Sequence, residues 1–208
     1  MQNWNDKLLM ELDENNIDRN PFKQFSLWMG DAINAAVPEP NAMILSTVSA
    51  LCKPSSRVVL LKNSSENGFD FFTNYQSRKS IELSKNAFAS LLFLWKELER
   101  QVRIEGTVVK LTSLESDEYY FSRPTASNIS AWASPQSSVV PNRKTLKDWY
   151  NEFEEIFQKK TSSRPPYWGG FRLIPDMFEF WQGRENRLHD RIEFKYGDNG
   201  WNIHRLAP

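Results

Sequence analysis

Phe88-Ala-Ser-Leu-Leu-Phe-Leu-Trp95, a short polar link, and Gln101-Val-Arg-Ile-Glu-Gly-Thr-Val-Val-Lys-Leu111 form the stretch that decides the fold. The first run is almost wholly apolar, and the second sets Val102, Ile104 and Val108 among polar neighbours, so both read as β-strands. Similar runs lie on either side, at residues 42–49, 57–62 and 69–73 before it and 177–181, 191–196 and 201–205 after it. Helices are expected from Pro21, which suits a first helical turn, through Phe22, Phe25, Met29, Ile33 and Ala36 until Pro38 and Pro40 stop the pattern. Further helices are expected after Ser77, at residues 113–123 and at residues 143–159. Many short strands with few helices suit a mostly antiparallel barrel decorated by helices better than an alternating parallel layout.

Residues 1–20 are polar and turn-rich and read as a flexible N-terminal arm, with residues 21–208 as one domain. The Ser/Pro-rich stretch 134–141 reads as a surface loop. Lys plus Arg balance Asp plus Glu at 26 each, so no global positive field draws the chain to nucleic acid or an anionic membrane, and any anion must be met by local clusters. Cys52 is the single cysteine, which excludes an intrachain disulfide and a cysteine-rich metal site and fits a reducing compartment. With no signal-peptide pattern at the N-terminus and no long apolar run, a cytoplasmic protein is expected. His189 and His204 show no metal-ligand spacing. Phosphate-loop, nucleophile-elbow and dinucleotide-binding glycine motifs are all missing, so any chemistry must lean on a cofactor held by other means.

Three clusters can carry such chemistry. Ser77 is a good N-cap, which puts Arg78 and Lys79 in a first helical turn where an anion is favoured; taken alone, these residues read more readily as an ordinary exposed basic pair. In the helix expected at 113–123, Tyr119 and Arg123 share a face, and Pro124 ends it before a loop carrying Ser127, so a phenol, a guanidinium and a hydroxyl could converge on a phosphate. A packed tyrosine and a solvated arginine are the alternative. In an extended chain Arg187, His189 and Arg191 would share one face, pointing to an anionic ligand or to an edge strand protected by charge. Arg57 and Lys62 bracket an apolar run with opposite parity, so serving one site requires a bulge or a ligand spanned lengthwise. The eight tryptophans read mainly as packing residues.

These fragments occur in one order with Asn41-Ala42-Met43, Phe72-Thr73-Asn74, Glu99-Arg100-Gln101-Val102, Gln136-Ser137-Ser138, Trp168-Gly169-Gly170-Phe171, Phe180-Trp181-Gln182-Gly183, Asn186-Arg187-Leu188-His189-Asp190-Arg191 and the closing Arg205-Leu206-Ala207-Pro208. The chain resembles the pyridoxine/pyridoxamine 5′-phosphate oxidase family over residues 20–208. That resemblance implies a mostly β fold with helices, an FMN-binding split β-barrel in a single domain, and a homodimer with active sites at the subunit interface. It carries the family's FMN contacts onto Arg57, Val58, Val59, Leu60, Leu61, Lys62, Phe72, Thr73, Arg78, Lys79, Gln101, Gln136, Ser137, Trp181 and Arg191, and its substrate contacts onto Lys62, Tyr119, Arg123, Ser127, Arg187 and His189, the last two as the catalytic pair. The implied reaction, part of vitamin B6 metabolism, oxidises pyridoxamine 5′-phosphate or pyridoxine 5′-phosphate to pyridoxal 5′-phosphate with dioxygen as acceptor. Hydrogen peroxide forms, with ammonia from the amine. Alternatives are another split-barrel flavin oxidase of the phenazine-biosynthesis type and a non-catalytic flavin or pyridoxal-phosphate binder. Residues 4–7 lack an Arg and a Tyr common in the family's arm, Phe72 stands where tyrosine is common, and Phe121 replaces a frequent histidine.

Overall fold

The computed structural model describes residues 11–159 and 163–208, so the expectation for residues 4–7 and the first half of the arm lie outside the described residues. The elements run α1 (Pro21–Asn34), β1 (Ala42–Val48), β2 (Pro54–Leu60), β3 (Asn63–Ser65), β4 (Gly68–Asn74), α2 (Arg78–Lys85), β5 (Phe88–Trp95), β6 (Arg100–Lys110), α3 (Ser113–Ser122), α4 (Thr125–Ala133), α5 (Arg143–Lys159), β7 (Trp168–Gln182), β8 (Asp190–Gly197) and β9 (Gly200–Arg205). The strands form one antiparallel sheet in the order β2-β1-β5-β6-β7-β4-β3, with β8 and β9 branching from β7.

The long strand β7 makes the sheet curl and split. One of its edges pairs with β6 along its length; the other pairs first with β4, through Phe69↔Leu173, and then with β8, through Met177↔Lys195. Between these partners lies a bulge: Glu105 faces Met177 and Gly106 faces Pro175, leaving Asp176 as the extra residue. A bulge bends a strand and tolerates a proline that cannot donate to the ladder. Gly106 is required there, because a Cβ would collide with the Ile174 carbonyl oxygen. At the other end of the sheet, the chain leaving β2 turns onto β4: Leu61 N–H donates to the Asn41 carbonyl and Lys62 N–H to the Asp70 carbonyl, both at 2.9 Å.

Helix α1 plugs the curl. Asn20 caps it by accepting from the N–H groups of Phe22 and Lys23, and Pro21 occupies its first position. Its apolar face then sets Phe25 against Phe69 and Phe93, with ring centroids 4.9 and 5.0 Å apart, and Trp28 against Phe180 at 5.3 Å. Phe25, Phe69, Phe93, Phe178, Phe180 and Phe194 are all buried, and each contributes about 2 kcal/mol by leaving water. No helix among the described residues is long and apolar enough to cross a membrane.

Residues 11–20 lie against the body of the fold: Leu12 and Ile17 are buried, Leu12 N–H donates to Asp190, and Arg205 reaches the Leu12 carbonyl and Glu14. Three expectations are corrected. The strand expected at 177–181 begins nine residues earlier, at Trp168, because pairing with β4 overrides the local signal of Gly169, Gly170 and Pro175. Ser127 lies in the first turn of α4, not in a loop; its N–H donates to the Pro124 carbonyl. Residues 187–189 are not extended: Asn186 and Arg187 have φ of 56° and 61°, a tight turn ahead of β8.

Candidate active site

A cavity of about 800 Å³ opens where β2, β4, the start of α2, the junction of α3 and α4, and the start of β7 converge. Its lining includes Arg57, Val58, Val59, Leu60, Lys62, Phe72, Thr73, Arg78, Lys79, Tyr119, Arg123, Ser127, Gln136 and Ser137. The sequence reading did not single out Ser55 or Ser56, took Pro124 for a helix stop, and took Trp168 for a packing residue within a family fragment, yet all four line the cavity too. The parity conflict between Arg57 and Lys62 is resolved without a bulge. Strand β2 ends at Leu60, and the crossing to β4 re-aims Lys62, while Leu61 turns into the core and does not line the cavity.

Five of the lining residues are cationic, namely Arg57, Lys62, Arg78, Lys79 and Arg123, and none is a carboxylate. Lys79 is buried, and its ammonium donates to neutral oxygens at Thr73, Ser77 and Gln136, 3.1 to 3.2 Å away. Burial first and the charge of Arg57 second push its pKa down to about 8. Ser77 occupies the N-cap of α2, but its hydroxyl pairs with Ser80 and Lys79 and does not cap the helix. Arg57 donates to the Leu45 carbonyl and to Thr47, and burial lowers its pKa against the opposing pull of Glu82.

A second set of cavity residues is built on stacked rings. Phe72 and Tyr119 stack at 3.9 Å, and Tyr119 and Trp168 are nearly parallel at 6.2 Å. The Arg123 guanidinium lies 4.4 Å from the Trp168 ring centre, donates Nη2 to the Ser127 backbone carbonyl, and leaves Nη1 buried with no partner. Lys62 Nζ sits 5.9 Å from the Tyr119 ring centre.

The remaining expected residues form a separate group that does not line this cavity. Gln101 pairs with Trp181 across β6 and β7, and Trp181 with Arg191 across β7 and β8, so the three make one row over three strands. The His189 ring packs 4.6 Å from that of Trp181, and its Nδ1 accepts the Arg184 N–H at 3.0 Å. Arg191 is held by Glu179 at 2.8 Å and by the Ala207 carbonyl at 2.7 Å, while Arg187 is exposed in the turn. Asp190 steadies this turn from below, taking Arg184 and Arg205 at 2.7 and 3.1 Å.

Comparisons with known proteins agree with this architecture. Residues 29–157 match a family model described as pyridoxamine 5′-phosphate oxidase, and residues 168–208 match one described as the pyridoxine 5′-phosphate oxidase C-terminal dimerisation region. A relative from Paraburkholderia phymatum named pyridoxine/pyridoxamine 5′-phosphate oxidase is 55% identical over 201 residues, 96% of this chain and 94% of its own. Another of that name, from Trichormus variabilis, is 48% identical over 98% of this chain and 95% of its own. Among solved structures, PhzG from Burkholderia lata in complex with tetrahydrophenazine-1-carboxylic acid aligns with a TM-score of 0.90 at 30% identity, covering 96% of this chain and 98% of its own. An FMN-binding protein from Nostoc punctiforme shares the fold, with a TM-score of 0.71 at 14% identity over 92% of this chain and 100% of its own.

Proposed function

Because this chain belongs to the pyridoxine/pyridoxamine 5′-phosphate oxidase family, we propose that it uses FMN to oxidise pyridoxamine 5′-phosphate or pyridoxine 5′-phosphate at the 4′ carbon, giving pyridoxal 5′-phosphate. The observation that carries this reading is the cavity lined by five cations and no carboxylate, a charge balance that suits two phosphate groups, one on the cofactor and one on the substrate. Lys79 supports the fit to FMN: an ammonium buried among neutral oxygens beside Arg57 is stabilised when a phosphate enters. A bound flavin would supply the two-electron acceptor for the substrate, with dioxygen as the final acceptor giving hydrogen peroxide and water displacing ammonia from the oxidised amine.

The protein's part is placement and charge. Arg57, Arg78 and Lys79 hold the flavin phosphate, Thr73, Gln136 and Ser137 supply polar contacts beside it, and Tyr119, Arg123 and Ser127 clamp the substrate phosphate. Lys62, over the Tyr119 ring, sits beside the substrate end. The row Gln101, Trp181 and Arg191, with Arg187 and His189, completes the cavity of a second copy in a homodimer. Their place outside this chain's own cavity and, for all but Gln101, within the region matching a dimerisation model supports that assignment. His189, with Nδ1 already accepting, has Nε2–H to donate to the pyridine ring's substituents, and Arg187 orients the ring from the exposed turn. The single unpaired cysteine supports a cytoplasmic setting.

The test is anaerobic reduction. Protein carrying FMN is mixed with each phosphorylated vitamer, the visible absorbance of oxidised flavin is followed, and air is then admitted. Bleaching, recovery in air and formation of pyridoxal 5′-phosphate are expected. Flavin left unbleached by both vitamers yet reduced by tetrahydrophenazine-1-carboxylic acid would move the activity to that of the phenazine-type neighbour.

A further inference from the structure

Beneath the cation cluster, and outside the cavity lining, lies the buried carboxylate of Glu82 on α2. Its Oε2 accepts from Thr47 Oγ1 at 2.5 Å, Ser55 Oγ at 2.6 Å and Arg57 Nη2 at 3.3 Å, and its Oε1 accepts from Arg78 Nε at 2.9 Å. One side chain therefore ties β1, β2 and α2 to the two arginines that border the same end of the cavity. Arg78 gives up Nε and keeps both terminal nitrogens for the cavity; Arg57 is fixed by Leu45, Thr47, Ser55 and Glu82 together. Burial pushes the Glu82 carboxyl up, but the hydrogen bonds from Ser55, Thr47 and Arg78 outweigh it and hold the pKa at about 2, so the group is charged throughout the working range.

We propose that Glu82 is a positioning residue that aims Arg57 and Arg78 at the flavin phosphate, a role that rests on the FMN reading above. Charge alone argues the other way, since a carboxylate under an anion site weakens the attraction. Orientation outweighs it here, because an unanchored arginine must give up rotamer freedom to meet the phosphate and three like charges would otherwise splay apart. In Glu82→Gln the amide keeps a single acceptor oxygen for donors that now share two, so Arg57 or Arg78 loses its anchor.

The experiment is titration of the full chain, freed of flavin, with FMN and with riboflavin, which lacks the phosphate, for wild type, Glu82→Gln and Glu82→Asp. Wild type is expected to prefer FMN strongly. Glu82→Gln is expected to lose about tenfold in FMN affinity with riboflavin affinity nearly unchanged, and Glu82→Asp to recover part of the loss. Unchanged or tighter FMN binding in Glu82→Gln overturns the proposal, as does an equal loss for both flavins, which marks a purely structural role. A wild-type chain with no preference for FMN overturns the phosphate reading itself, and the proposal with it.

Discussion

The guanidinium of Arg123 rests on the face of Trp168, 4.4 Å from the ring centre, and the Phe72 and Tyr119 rings, stacked 3.9 Å apart, lie 5.7 and 6.2 Å from that of Trp168. The ring thus holds a half-buried cation over the cavity without neutralising it, which a carboxylate partner would do. Replacing Trp168 with Leu removes the shelf and about 1 kcal/mol of cation–π attraction. The KM for pyridoxamine 5′-phosphate is expected to rise by about fivefold, as read from steady-state kinetics, and Trp168→Phe to recover most of it. A fall in kcat at unchanged KM would place Trp168 elsewhere in the mechanism.

Lys79 makes FMN binding depend on pH. Its pKa in the flavin-free protein is depressed from 10.5 to about 8, so it begins to lose its charge as pH rises through 8, and a bound phosphate must restore the proton. FMN affinity is therefore expected to fall as pH is raised above about 8, and Lys79→Met to flatten that dependence. The stability of the flavin-free fold moves the other way. Below about 8 the flavin-free fold carries the cost of a buried ammonium, and between about 8 and 10.5 that cost is relieved, so thermal stability gains a positive contribution in this window.

Arg187 stands in an exposed turn away from the flavin-phosphate cations. Arg187→Ala is expected to lower turnover by about a hundredfold while FMN content, read from the absorbance of the purified protein, stays at the wild-type level. Loss of flavin instead would contradict the division of roles.

If each site draws on both copies, two inactive variants can repair one another. Arg123→Ala and Arg187→Ala homodimers lack one element of every site, whereas the mixed dimer has one intact site. Random reassociation of equal amounts is expected to restore about a quarter of wild-type activity. No recovery, with mixed dimers verified by differential tagging, places both residues in one chain's site.

Gly106 sits opposite the bulge that lets β7 change partners. Gly106→Ala would drive a methyl group into the Ile174 carbonyl and is expected to lower stability by about 3 kcal/mol, read as a shift of the denaturant midpoint.

The sequence by itself determined the class of fold and most of the strands, because the relevant signal is local. In residues 88–95 and 101–111 the apolar pattern matches the strands observed to within one residue, and Pro21 opens the helix as its chemistry predicts. It also marked all five cationic side chains of the cavity, through a family order of motifs more than through the spacing of any pair. Tertiary structure decided the rest. Trp168 reads as packing until β7 is extended back through Gly169, Gly170 and Pro175 by pairing with β4, which places its ring under Arg123. Glu82 reads as one polar residue in a short helix until α2 is laid against β1 and β2. Arg57 and Lys62, opposite in parity, meet one cavity only because the chain leaves one edge of the sheet and joins the other between them. Periodicity reports which face a residue presents within its own element; which distant residues share a cavity depends on sheet register and closure, and neither is written in any local stretch.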